Sequence, residues 1–198
     1  MPSMTITNRR AELHRQVERL AATDDARLAY DVLRELVLPL EPTLPQAEFI
    51  LVLPGLVPAA ELVSHVNLDG RVGFTSMEPE DLARFAPTAD VAIPAGPAYV
   101  LVDPDTGAET LNVRPDDALP RILAGGRTPL TLEEGLALVL HRPEWLRDRN
   151  CFEMLGSRAG DKRVTGLWLS KRAPRLGWCW GGNPHTWLGM ATAGSRLG

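Results

Sequence analysis

The sequence predicts an α+β fold: an N-terminal helical pair, a mixed central region and a C-terminal antiparallel sheet. Two observations carry this reading. Apolar residues recur at helical spacing near the start of the chain, whereas beyond Cys151 short apolar runs are separated by glycine-rich and charged turns. No segment repeats and none is of low complexity.

From Asn8 to Ala22, Leu13, Val17 and Leu20 line one helical face, with Thr7 or Asn8 as the N-cap. A second helix starts at Asp24 or Asp25 and presents Leu28, Val32 and Leu36. It must stop before Pro39, because proline lacks the amide donor and disfavours helix in the residue ahead of it. Leu38 to Pro45 contains Pro39, Pro42 and Pro45 and reads as a linker. It divides an N-terminal helical segment, residues 1–45, from a main α+β domain, residues 46–198.

Phe49 to Leu53 reads as a short buried strand, although its periodicity also fits a buried helix turn; Pro58 opens a brief helix through Ser64, and Asp69-Gly70 is a turn. Thr75 or Ser76 caps a short helix over Pro79 to Phe85. Ala98 to Val102 and Glu109 to Val113 flank Asp103-Pro104-Asp105-Thr106-Gly107, the pattern of a β-hairpin. Asp116 to Ala124 is a helix closed by Gly125-Gly126, and Thr131 with Glu134 forms a capping box for a helix through Leu140. Cys151 to Leu155, Val164 to Ser170, Leu176 to Trp180 and Thr186 to Ala191 then form an antiparallel meander.

The 198 residues are 44% hydrophobic and 23% charged with a net charge of -4, the composition of an ordinary globular domain. The start of the chain lacks the apolar core of a signal peptide, and the most apolar run is broken by Pro54 and Pro58, so a cytoplasmic protein without a membrane span is expected. Cys151 and Cys179 are too few for a disulfide framework and are expected as free thiols. Charge is uneven: 23 of the 25 acidic but only 14 of the 21 basic side chains lie in residues 1–150. All five tryptophans lie at or beyond Trp145. The basic, tryptophan-rich end is either an anion-seeking face or the electrostatic complement of the acidic remainder.

Two segments there have chemistry to offer. In Ser157-Arg158-Ala159-Gly160-Asp161-Lys162-Arg163, a glycine beside a hydroxyl and three cations could cradle phosphate or carboxylate, although a solvated hairpin tip has the same composition. In the second, Trp178 and Trp180 alternate onto one face of a strand as a stacking platform, or as core filling, and Cys179 faces the other way. Asn183-Pro184 turns the chain and sets His185 at its edge. Cys179 with His185 supplies a thiol and an imidazole, but nothing nearby in sequence lowers the thiol pKa, so acid–base work by His185 and Asp161 is the stronger catalytic reading. The four histidines are scattered and neither C-x-x-C nor H-E-x-x-H occurs, so no metal and no cofactor is expected. An acidic chain without a nucleic-acid-binding motif argues against DNA or RNA as partner.

Gly126-Arg127-Thr128-Pro129-Leu130-Thr131 with Glu133-Glu134-Gly135, Gly156-Ser157-Arg158, and above all Leu176-Gly177-Trp178-Cys179-Trp180 followed by Asn183-Pro184-His185-Thr186-Trp187-Leu188-Gly189 resemble an uncharacterised, mainly actinobacterial family described as a domain of unknown function. The resemblance runs from about Phe49 to the C-terminus and implies a bacterial cytosolic domain. The family carries no assigned activity, so no catalytic residue, ligand or substrate transfers from it.

The function expected from the residues is a binding module for a small anionic or aromatic ligand or a protein partner. Ser157, Arg158, Lys162, Arg163, Trp178, Trp180 and Asn183 would supply the ligand contacts. The alternative is a hydrolase or transferase using His185 and Asp161.

Overall fold

The computed structural model describes residues 6–23 and 25–198. α1 (Ile6–Ala21) buries Leu13, Val17 and Leu20, the stripe that the spacing predicts. Thr7 and Asn8, the expected caps, are already helical. Asp24, one of the two expected starts of the second helix, lies outside the described residues. Asp25 does cap: its side chain accepts from the Arg27 amide at 2.9 Å, but it opens only a 3-10 turn, Ala26–Leu28. α2 (Tyr30–Val37) begins afresh after Ala29. That restart shifts the helical phase, so Leu33 and Val37 are buried while Val32 is exposed, correcting the expected face. Leu38–Thr43 is a 3-10 segment rather than a slack connector, and Leu40 and Leu44 join the main hydrophobic core.

β1 (Phe49–Val52) follows, tied to α1 by Gln16, which donates to the Phe49 carbonyl at 2.9 Å and accepts from the Leu51 amide at 2.7 Å. α3 (Ala59–His65) leads into the small hairpin β2 (Asn67–Leu68) and β3 (Arg71–Val72). Its turn residues Asp69 and Gly70 take the positive φ values of 51° and 78° that a two-residue hairpin turn requires. β4 (Phe74–Thr75), α4 (Pro79–Leu82) and β5 (Ala86–Pro87) come next. The N-cap of α4 is Glu78, and Thr75 instead accepts from the Met77 amide.

β6 (Tyr99–Val102) does not form the hairpin expected with residues 109–113. Both its edges are already taken, by β1 and by the last strand of the chain, so the segment after Gly107 has no free edge to join and curls into a 3-10 turn, Ala108–Thr110. α5 (Pro115–Ala124) ends at Gly125, and β7 (Thr128–Pro129) leads to α6 (Leu132–His141). The capping box is formed as predicted: Glu134 N donates to Thr131 Oγ1 and Thr131 N to Glu134 Oε2. Every residue of α6 but Glu133 is buried, as suits a helix that is apolar nearly all round. It contacts β1 on one side and the C-terminal sheet on the other.

That sheet comprises β8 (Cys151–Met154), β10 (Arg163–Ser170) and β11 (Ala173–Trp180) in antiparallel register, preceded on the rim by β9 (Ser157–Arg158), which pairs with β5. β12 (Leu188–Met190) adds to β8, and β4 to β11, both in parallel, so the antiparallel centre has two parallel edges. β13 (Thr192–Ala193) pairs with β7, and β14 (Ser195–Leu197) closes the β1–β6 sheet. The architecture is α+β, with a helical pair first and an antiparallel sheet last. Among the described residues no helix is long and apolar enough to cross a membrane.

Candidate functional site

Register decides what the C-terminal sheet presents. Gly166 on β10 stands opposite Glu153 on β8 and opposite Gly177 on β11. Paired residues share a face and successive residues alternate. Phe152, Met154 and Leu167 therefore point one way, and Glu153, Trp168 and Cys179 the other. The first face meets α6: a side chain at Gly135 would collide with Met154 Sδ, so this glycine sets the close approach of helix and sheet. The second face is partly covered by α5, whose Ala118 and Ile122 pack with Leu155, Val164 and Met190 in a small separate core.

Beside that small core lies a cluster of titratable groups. Ligand-capable atoms of Glu153, Cys179 and His185 all lie within 4.8 Å of one another. Glu153 is a full strand away from Cys179, and Gly166 leaves the gap through which its side chain reaches: a Cβ there would sit 3.3 Å from Glu153 Cγ. The opposed glycines also make room for Trp168, whose ring would lie 2.3 Å from a Cβ at Gly177. Trp168 meets Trp187 edge to face at 6.0 Å, and Trp187 meets the His185 ring at 5.5 Å. Two indoles thus wall the cluster. His185 is held from behind, where its carbonyl accepts from the Asn112 amide at 2.7 Å.

The electrostatics of this cluster are unusual. Glu153 is fully buried, and no N–H or O–H donor reaches either carboxyl oxygen; the Cys179 thiol lies beside it as a weak donor. Burial pushes its pKa up to about 8, opposed in part by the Cys179 thiol and by the charge of Arg158. Cys179 rises to about 12, first through burial and then through Glu153 beside it. Burial lowers His185, whose Nε2 is buried without a partner. All three groups are therefore held neutral at pH 7, chiefly by burial. A thiol in this state is no ready nucleophile.

The residues expected to bind a ligand are distributed otherwise. Trp178 and Trp180 do share a face, and Cys179 takes the opposite one. Their rings meet at 71° with centroids 4.8 Å apart, an edge contact and not a flat platform. Arg163 lies between Phe85 and Trp178, and its guanidinium is committed to Asp81 at 2.6 and 2.8 Å and to Asp161 at 2.9 Å. Asp161, expected beside His185, is held below the usual carboxylate range by Arg163 and also faces Arg84 at 3.9 Å. Ser157 is buried and accepts from the Leu132 amide at the start of α6. Arg158 approaches Asp116 at 3.7 Å, Lys162 is exposed, and Asn183 closes a turn by donating its amide to the Trp180 carbonyl at 2.9 Å. Of the predicted set, only His185 and the charge of Arg158 bear on the cluster.

Glu153 is the residue that sequence reasoning missed. Its signal was there: a single acidic residue inside the apolar run Cys151 to Leu155, read as strand, is a carboxylate headed for burial.

Residues 9–198 match the model of a family of unknown function, DUF5701, and the chain belongs to that family. No curated protein and no solved structure matches it.

Proposed function

We propose that this DUF5701 protein is a binding module for a small ligand, and that its site is the Glu153, Cys179 and His185 cluster walled by Trp168 and Trp187. One observation carries the reading: a completely buried carboxyl whose oxygens meet no N–H or O–H donor and have only a weak thiol beside them. An unmet buried polar group costs on the order of 1–3 kcal/mol, and most such groups in native proteins are satisfied. A ligand that supplies the missing partner gives the cost a purpose. Cys179 and His185 are only half-buried, so the cluster lies near the surface of the sheet. The cations foreseen for an anionic ligand are largely engaged by the chain's own carboxylates, which favours a polar or cationic ligand instead. Two unpaired cysteines support work in a reducing compartment, the cytoplasm.

The test is a thermal-shift screen of amino acids, amines, nucleotides, sugar phosphates and divalent metals against the wild type, Glu153→Gln and His185→Ala. The expected result is a stabilising shift in the wild type that both variants lose. No shift with any compound, or a shift that both variants keep, overturns the assignment.

A further inference from the structure

Resting on that reading of the site, we infer that Glu153, Cys179 and His185 bind a divalent transition-metal ion of the zinc class through one oxygen, one sulfur and one nitrogen, with a fourth position open to water. Sulfur and imidazole donors select such an ion over calcium or magnesium, which take oxygen ligands. Zinc bonds of about 2.0–2.3 Å place tetrahedral ligand atoms about 3.5 Å apart. The three donor atoms already lie within 4.8 Å, so closing the site takes an approach of about 1 Å.

Charge favours a divalent ion. Binding removes a proton from the Cys179 thiol and one from the Glu153 carboxyl, releases both to solvent, and forms the metal–sulfur and metal–oxygen bonds in their place. A doubly charged ion with one thiolate, one carboxylate and a neutral imidazole then has no net charge, which suits a site whose carboxylate is sealed from water. It also gives one of the two Glu153 oxygens a strong partner. Three protein donors, two of them on half-buried residues, leave a four-coordinate ion one further position, the pattern of zinc centres that hold a water rather than of closed four-ligand structural sites. The sequence hides the site because Glu153 and Cys179 come together only through the register of three strands, at no motif spacing.

The experiment titrates chelator-stripped protein with Co2+ and follows the thiolate-to-cobalt charge-transfer band. The wild type should bind with the band present. Cys179→Ser should lose the band, and Glu153→Gln and His185→Ala should bind at least about tenfold more weakly. Zn2+ should also slow alkylation of Cys179 in the wild type, a readout that needs no variant. Cobalt binding that Cys179→Ser and Glu153→Gln leave unchanged, together with unprotected Cys179, would place the ion elsewhere and overturn the inference. If no metal binds, but an organic compound stabilises the protein in chelator and Glu153→Gln abolishes that shift, the metal assignment falls and the binding reading stands. If neither metal nor organic compound binds, both fall.

Discussion

Glu134 and Glu153 are both fully buried, yet their surroundings are opposites. Glu134, in the first turn of α6, accepts from Tyr99 Oη at 2.8 Å, from the Thr131 amide at 2.8 Å and from Arg196 Nη2 at 2.7 Å. Arg196 in turn donates to Thr128 Oγ1 and to the Pro129 carbonyl, so a guanidinium contributed by the last strand is neutralised inside the fold. Glu153, on the outer face of the C-terminal sheet, has none of this. The chain therefore satisfies a buried carboxylate where it ties elements together. Where it leaves one unsatisfied, it does so beside a thiol and an imidazole. One carboxylate ties helix, strand and loop together through its hydrogen bonds, and the other makes no such ties.

The same substitution at the two positions should act with opposite sign. Glu134→Met strands Arg196 as a buried, uncompensated charge and should cost about 3–5 kcal/mol in urea denaturation. A loss below about 1 kcal/mol would erase the distinction between the two sites.

In chelator Glu153 should also give the stability a pH dependence. The folded pKa of Glu153, about 8, lies above the ordinary 4.5, so the native state keeps a proton that the unfolded chain gives up. That stability is complete below the unfolded pKa and is lost as pH rises through about 8. Between about pH 5 and pH 8 the loss is on the order of 3 kcal/mol. His141 works in the other direction: burial lowers it from 6.5 to about 3, so its contribution is full above 6.5 and lost as pH falls toward 3. Comparing the wild type with Glu153→Gln cancels the His141 part. An unchanged slope in Glu153→Gln would show that Glu153 is not the titrating group.

What was legible in the sequence was local. The capping box of Thr131 and Glu134, the stripe of Leu13, Val17 and Leu20, and the alternation that parts Cys179 from Trp178 and Trp180 depend on residues a few positions apart. What was hidden depended on distant partners. Residues 109–113 look like half a hairpin until β1 and β14 claim both edges of β6. The Asp161 and Arg163 loop looks like an anion cradle until Asp81, far away in sequence, fills it. Glu153 is legible as a buried carboxylate in an apolar strand, but only the register with Gly166 carries it across to Cys179.

The most direct measurement is urea denaturation of Glu153→Met beside the wild type, in chelator and with Zn2+. If Glu153 is kept for a ligand, the variant is more stable than the wild type in chelator, by about 1–3 kcal/mol, and gains nothing from Zn2+. A variant that is less stable in chelator, as Glu134→Met is expected to be, would contradict this and return Glu153 to a purely structural role.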